Sequence, residues 1–128
     1  MARRAQSTGA CTYCGRVLTR SGMTRHLASC GKRAAHGRQA AETARQATDM
    51  LLRLEVRDAD WGGYWLHLEM PASATLQALD RYLRAIWLEC CGHMSTFSIG
   101  SAWGGRDVGM STRLGRAFAS SGELIHVY

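Results

Sequence analysis

The sequence predicts an α+β fold: a small N-terminal ββα unit, a helical linker, and a body with a mainly antiparallel sheet and one main helix. Two observations predict the body. Apolar and charged residues alternate at 51–57, as in a half-buried strand that a second strand at 64–70 follows, and an apolar stripe with helical spacing runs through 76–90. A third observation predicts the N-terminal unit, because three cysteines and one histidine are closely spaced within residues 11–30.

The body is predicted to have the element order ββαβαβ. Its first two strands form a hairpin, and Ser73 or Thr75 caps the main helix. Asp80 and Arg84 fall on the side of that helix away from the apolar stripe, so we expect them at the solvent. The remaining predicted elements are a strand at 96–99, a glycine-rich loop at 100–109, a short helix at 113–118 and a final strand at 123–128.

The N-terminal cysteines and histidine have the spacing of metal ligands. Cys11 and Cys14 are separated by two residues, so a tight turn can present both thiolates to one ion. His26 and Cys30 are four residues apart and share one face of a helix, which completes a tetrahedral set. So short a segment, with few large apolar side chains, cannot fold without a bound metal ion or disulfide bonds. A structural zinc ion supplies about 10–16 kcal/mol of apparent binding energy, and we predict Zn²⁺ as the cofactor.

Disulfide bonds are the alternative staple. Residues 1–10 lack the apolar stretch of a secretory signal, so we expect a disordered basic tail there and a cytoplasmic protein. A reducing cytosol favours a metal over disulfides. No apolar run approaches the roughly 18 residues that span a membrane, and we expect no membrane partner and infer no small-molecule substrate.

This ligand pattern resembles a Cys-Cys-His-Cys variant of the two-Cys-two-His zinc-finger family, one residue shorter than usual between the two ligand pairs. In such a finger the helix enters the major groove of DNA. Alignment on His26 places Thr19, Ser21, Gly22 and Arg25 toward the bases. Only Arg25 is a strong base reader, because a guanidinium can make a bidentate pair with guanine.

The charge of the chain is unevenly distributed. Residues 1–41 carry eight basic side chains and no acidic one, whereas the rest of the chain carries eight basic and ten acidic side chains, for a net charge of +6. Arginine concentrated beside a zinc-held unit indicates a nucleic-acid contact, and we predict DNA as the partner. The alternatives are a solvated basic face, since all basic residues except one are Arg, or a finger that grips another protein. The residues predicted to bind phosphate are Arg16, Arg20, Lys32 and Arg33.

The finger is predicted to occupy residues 11–33, with Gly31 ending its helix. Residues 34–50 are rich in Ala and lack large apolar side chains, which predicts a linker helix against which little packs. We interpret His36 as an exposed linker residue rather than a ligand. The body then occupies residues 51–128.

Four tracts of the body, at 65–72, 74–76, 79–80 and 86–97, carry a second resemblance. They are similar to the Ri-plasmid ORF-three-like family, small α+β proteins that are passengers of mobile elements and are mostly of unknown function. The resemblance implies an association with a plasmid or mobile element. Family members usually continue beyond the position of Tyr128, so we expect a truncated body whose last strand lacks a neighbour.

Cys90, Cys91 and His93 form the other group of reactive residue types. A second metal site would need a further ligand, such as His67 or His126. A Cys–His nucleophile pair would need a group to orient the base, and none is evident. The glycine-rich loop also lacks the Lys-Ser/Thr pair of a phosphate-binding loop. We interpret these residues as packing residues and expect no enzymatic activity.

The sequence therefore predicts a non-enzymatic zinc-binding protein that contacts nucleic acid through a basic N-terminal finger. The alternative is a protein–protein adaptor that uses the finger together with an open sheet edge at 124–128.

Overall fold

The computed structural model describes residues 5–43, 50–60, 63–88, 92–101 and 103–128, and these form helices and small antiparallel sheets of the predicted α+β class. The chain divides into two compact units. Unit 1 comprises Met1–Thr48 and Arg53–Glu69, and unit 2 comprises Asp49–Leu52 and Met70–Tyr128. This division differs from the predicted domain boundary, because most of the first hairpin of the body groups with the N-terminal segment.

Unit 1 begins with two short strands and a helix. Strand β1 (Thr8–Ala10) pairs antiparallel with β2 (Val17–Thr19), and helix α1 (Arg20–Ser29) follows directly. The Oγ1 atom of Thr19 caps α1 by accepting a hydrogen bond from the N–H of Gly22 at 3.3 Å. The predicted disordered tail is wrong for its last three residues, because they form β1.

A second helix follows α1 after a single residue. Cys30 has an extended backbone (φ −66°, ψ 113°) and ends α1, and helix α2 spans Gly31–Thr43. The prediction that Gly31 ends a helix is wrong, since it begins one. The first turns of α2 also contact the rest of unit 1: the ring of His36 lies 5.4 Å from that of Tyr13. The predicted linker is therefore packed at its start, and residues 44–49 lie outside the described part of the chain.

The predicted hairpin is present. Strands β3 (Leu51–Arg57) and β4 (Trp65–Pro71) form a two-stranded sheet, and the N–H of Asp58 donates to the carbonyl of Tyr64 at 3.0 Å across the connection. Leu54 is buried on one face of β3. The opposite face of this hairpin matters for the site described below.

Unit 2 contains a three-stranded antiparallel sheet with the order β6-β5-β7. Its strands are β5 (Thr96–Ile99), β6 (Arg106–Val108) and β7 (Ile125–Val127). The first and last confirm predictions, but β6 lies in the predicted loop. A Cβ atom on Gly105 would approach the carbonyl oxygen of Ser101 to 2.3 Å, so the close return of the chain into β6 requires glycine.

The helices of unit 2 supply most of its core. Helix α3 (Leu76–Leu83) continues into a π-helical turn (Arg84–Leu88), and α4 spans Leu114–Ser120. Thr75 caps α3 through its hydroxyl, as one of the two predicted alternatives. Among the described residues, no helix is long and apolar enough to cross a membrane.

The predicted apolar stripe is correct through α3 and wrong at Ile86 and Trp87, and its last predicted member, Cys90, lies outside the described residues. Leu76 on α3 and Leu114 on α4 are fully buried, and each such side chain contributes about 1.5–3 kcal/mol of hydrophobic stabilisation. Ile86 and Trp87 are 42% and 39% exposed, because the helix changes to a π-helical turn before it reaches them.

Candidate metal centre

Four ligand-type side chains meet in unit 1. Cys11 and Cys14 lie between β1 and β2, His26 lies in α1, and Cys30 is the residue that ends α1. Their ligand atoms all lie within 4.8 Å of one another, with Cys11 and Cys30 buried. The structure thus brings together all four residues that the spacing predicted as metal ligands, and this Cys₃His cluster can hold a metal ion.

A tight turn presents the first two thiols. The N–H of Cys11 donates to the carbonyl of Arg16 at 2.9 Å, and the N–H of Gly15 donates to the carbonyl of Cys11 at 2.7 Å. Gly15 has φ +79°, a left-handed conformation that glycine adopts without a steric penalty. The backbone is therefore folded around the position between Cys11 and Cys14.

The dimensions and chemistry of the donor set fit a tetrahedral ion. A site with bonds of about 2.3 Å to sulfur places neighbouring ligand atoms roughly 3.8 Å apart. The Sγ atom of Cys14 lies 3.2 Å from the Nε2 atom of His26, and the rest of the Cys₃His cluster lies within the limit given above. Three sulfurs and one imidazole nitrogen form a soft donor set, and four such ligands leave no open position on a tetrahedral ion.

The two cysteines of the turn have different acidities. Burial alone would raise the pKa of Cys11, but hydrogen bonds from the backbone at Cys14 and Tyr13, and from His26, lower it to about 6. A backbone hydrogen bond from Arg16 lowers the pKa of Cys14, but burial and the neighbouring Cys11 thiolate raise it by more. Because the thiolate is the form that binds metal, Cys11 is the better prepared of these two thiols for ligation.

Apolar side chains complete the packing around the cluster. Met23 and Leu27 of α1 are buried with Cys11 and Cys30. Trp65 of β4 also packs against this group. The N-terminal segment therefore shares one small core with the hairpin of unit 1.

Polar contacts also join this segment to β4. The hydroxyl of Tyr13 donates to Glu69 Oε2 at 3.1 Å, and the guanidinium of Arg33 forms an ion pair with the same carboxylate. The Nε1–H of Trp65 donates to the hydroxyl of Ser7 at 2.8 Å. These contacts hold the segment on both sides of the cluster against one face of β4.

The five predicted nucleic-acid residues fall into two groups. Arg16, Arg25 and Lys32 are exposed and form no ion pair with any described residue. Arg20 and Arg33 instead form ion pairs with hairpin carboxylates, Arg20 Nη1 lying 3.4 Å from Glu55 Oε1. This role of the hairpin is not predicted from the sequence.

The sequence contains a signal for the face of β4 that contacts the N-terminal segment. Trp65, His67 and Glu69 alternate with leucines along β4, and period-2 alternation places them on one face. An aromatic side chain among polar ones on the supposed solvent face indicates that something covers it. The covering partner lies more than 50 residues away in the chain (56 from Tyr13 to Glu69), so local patterns do not identify it.

Unit 2 contains a separate buried polar cluster around Asp80, which is 7% exposed. The hydroxyl of Ser95 donates to Asp80 Oδ1 at 2.6 Å, and His126 Nε2 lies 2.8 Å from the same oxygen. Arg84 Nε donates to Oδ2 at 2.9 Å. The prediction that Asp80 faces solvent is wrong, because these partners satisfy both of its oxygens and permit burial.

Hydrogen bonds also set the acidity of this carboxyl group. Burial alone would raise the pKa of Asp80, but Ser95, His126 and Arg84 together lower it below its ordinary value. His126, considered above as a further metal ligand, thus belongs to this cluster, and the carbonyl of His93 accepts from Arg84. Cys90 and Cys91 lie outside the described residues.

The fold and site together define a small α+β protein with a Cys₃His cluster that can hold a metal ion. No family model, no curated protein and no solved structure matches the chain. The resemblances to the zinc-finger and Ri-plasmid ORF-three-like families therefore stay predictions.

Proposed function

We propose that the protein is a zinc-dependent, non-enzymatic module whose N-terminal finger contacts DNA. The observation that carries the proposal is the Cys₃His cluster, whose four ligand atoms lie within 4.8 Å of one another. The order β1-β2-α1 around it is that of a ββα finger, which supports the interpretation of the segment as a zinc finger. The closed ligand set favours a structural ion, because a catalytic zinc needs an open position.

Elemental analysis of the purified full-length chain tests the zinc assignment. We expect one zinc ion per chain, and Cys14→Ser should abolish stoichiometric loading by removing one of four ligands. Cys90→Ser is the matched control, since it removes a thiol that is not one of the four and should leave the zinc content unchanged. A protein without zinc, or Cys14→Ser protein that still binds one ion tightly, would contradict the assignment.

The exposed basic side chains of the finger support the DNA contact. Arg16, Arg25 and Lys32 extend from a segment without acidic residues and have no ion-pair partner among the described residues. Arg25 is exposed on α1, and in a finger the exposed side of the helix reads bases. Arg20 and Arg33 are both paired with glutamates, so we expect them to contribute less to DNA binding than the sequence predicts.

Binding of the zinc-loaded chain to duplex DNA at increasing salt tests this contact. We expect affinity to fall steeply with salt, because bound cations on the DNA are released by the basic side chains. Arg25→Gln should weaken binding by roughly 1–3 kcal/mol if the guanidinium pairs with a base. Arg116→Gln in unit 2 removes the same charge and is the control. Absence of binding at low salt would exclude a DNA function.

One observation favours a second candidate, a protein–protein adaptor. Arg20, Arg33 and Tyr13 bind carboxylates of the β3–β4 hairpin, so this segment can recognise acidic side chains. Titration with an acidic peptide in the presence of excess duplex DNA separates the two candidates. Peptide binding that DNA does not displace would favour the adaptor. A cytosolic location and an association with a plasmid or mobile element remain parts of the proposal that depend on the sequence alone.

A further inference from the structure

We propose that the DNA-binding surface extends from the finger onto strand β3, where Arg53 and Arg57 bind phosphates of the duplex. This inference depends on the proposed DNA-binding function. It assigns a role in binding to two arginines of the hairpin, which the ligand spacing and the charge of the N-terminal segment do not indicate.

Helix α1 lies directly beside β3. Arg20 Nη1 lies 3.4 Å from Glu55 Oε1, and the hydroxyl of Thr24 donates to Glu55 Oε2 at 3.4 Å. Arg20 and Thr24 are four residues apart, so they form one stripe of α1, and this stripe faces β3. Glu55 therefore marks the place where the strand and the helix meet.

Two arginines flank Glu55 on the same face of the strand. Arg53 and Arg57 each lie two residues from Glu55, and alternation along a strand puts all three on one side, opposite the buried Leu54. Both arginines are exposed, and neither forms an ion pair with any described residue. The face of β3 that meets α1 thus carries two basic side chains without an acidic partner.

The electrostatics of His67 on β4 support this arrangement. Burial lowers the pKa of His67, and the positive charge of Arg53 adds to this shift, whereas the negative charge of Glu55 opposes it. Arg20 acts in both directions, because its backbone hydrogen bond raises the pKa and its positive charge lowers it. Arg53 on the strand and Arg20 on the helix therefore act on the same imidazole. This places the positive charge of the finger and that of β3 in one neighbourhood.

The helix orientation directs this basic face to a phosphate wall. Ser21 and Arg25 form the stripe of α1 next to that of Arg20 and Thr24. If the stripe with Arg25 faces the bases, the adjoining side of α1, where β3 lies, is directed toward the wall of the major groove, which is lined with phosphates. Because Arg20 neutralises Glu55, the remaining charge on that side is positive and complements the DNA backbone.

The salt dependence of duplex binding tests the assignment of Arg53 and Arg57. For the zinc-loaded full-length chain, the slope of log K against log salt reports the number of phosphates neutralised. Arg53→Gln/Arg57→Gln should make this negative slope shallower by about 1.8, since each lost phosphate contact reduces its magnitude by about 0.9. Arg106→Gln/Arg116→Gln removes the same charge from exposed positions of unit 2 and should leave the slope within error of the wild type.

Two further measurements keep the outcome unambiguous. Arg53→Lys/Arg57→Lys should retain the slope, because lysine also neutralises phosphate, and this variant separates lost charge from lost packing. Equal slopes for the wild type and the Arg53→Gln/Arg57→Gln variant would overturn this inference while leaving the finger as a DNA contact. If the wild type does not bind duplex DNA at low salt but binds an acidic peptide, the proposed function itself fails.

Discussion

The two compact units are stabilised in different ways. The cluster core of unit 1 has only two buried apolar side chains besides its cysteines, Met23 and Leu27. Unit 2 buries a larger apolar set, and its described residues contain no comparable group of ligands. A short segment with so few buried apolar side chains is expected to need a bound ion, whereas a longer one can be stabilised by apolar packing. The buried apolar residues of unit 2 are Leu76, Leu79, Leu83, Phe97, Leu114 and Ala117.

The carboxylates of the two units also differ in burial and in their partners. In unit 1, Glu55 and Glu69 lie at partly exposed positions where they bind the N-terminal segment to the hairpin, with side chains 35% and 24% exposed. In unit 2, Asp80 is buried and fully hydrogen-bonded. A partly exposed ion pair contributes little to stability, whereas a buried carboxylate that loses its partners is strongly destabilising.

Metal removal gives the largest expected difference between the units. A chelator should unfold β1, β2 and α1, because the loss of about 10–16 kcal/mol of binding energy exceeds what two buried apolar side chains supply. Unit 2 should remain folded. Hydrogen exchange of the full-length chain, followed by peptide, measures both effects. Protection of α1 that persists without metal would show that the ion is not needed for folding.

A core substitution in unit 2 should lower the unfolding free energy of that unit independently of the metal. Leu76→Ala removes a fully buried side chain from α3 and should cost about 2–5 kcal/mol of unfolding free energy, whether or not zinc is bound. Val17→Ala is the matched control at a 63% exposed position and should change stability by less than about 0.5 kcal/mol. Urea unfolding with and without chelator measures these values. A zinc-dependent cost for Leu76→Ala would remove the contrast between the units.

The carboxylate of unit 2 should make that unit sensitive to acid. The pKa of Asp80 is lowered from 3.8 in the folded state, so the unfolded state binds the proton more readily. The stabilisation is complete above the unfolded pKa and is lost as the pH falls through the folded pKa, with a slope of at most about 1.4 kcal/mol per pH unit.

NMR titration of the Asp80 side-chain carbon checks the direction of this shift. Asp80→Asn should flatten the acid dependence of the unfolding free energy, whereas Asp107→Asn, which removes an exposed carboxylate from the same unit, is the control. An Asp80 carboxyl that titrates above 3.8 would show that burial outweighs its three hydrogen-bonding partners.

The smallest expected effects concern the attachment of the N-terminal segment to the hairpin. Glu69→Gln weakens the bonds to both Tyr13 and Arg33 and should cost about 1–2 kcal/mol. Glu55→Gln affects a longer and more exposed pair and should cost less than about 1 kcal/mol. Urea unfolding of the zinc-loaded variants compares them. A larger cost at Glu55 would mean that β3, rather than β4, is the main support of the segment.

Local features of the structure could be predicted from the sequence, whereas contacts between residues far apart in the chain could not. The four ligands and strands β3, β4 and β5 were predictable because their signals are contained in spacing or alternation over a few residues. The burial of Asp80 was not, because its partner His126 lies 46 residues away. Strand β6 was missed because its three residues follow glycines, which normally indicate a loop.

The end of α1 shows how a correct ligand set can rest on a partly wrong local prediction. His26 and Cys30 were expected on one face of a continuing helix, and Gly31 was expected to end it. Instead Cys30 itself is extended and α2 begins at Gly31. Both geometries bring the two ligands to the same side, so the spacing alone did not distinguish them.

The contacts of Glu69 have a consequence for biosynthesis. All four ligands lie within the first 30 residues, whereas the carboxylate that receives Tyr13 and Arg33 is the 69th residue. Because a chain leaves the ribosome from its N-terminus, the ligands emerge before β4 has been translated. Ion capture can therefore precede docking, and the metal-loaded segment then offers a finished surface on which the nascent hairpin assembles.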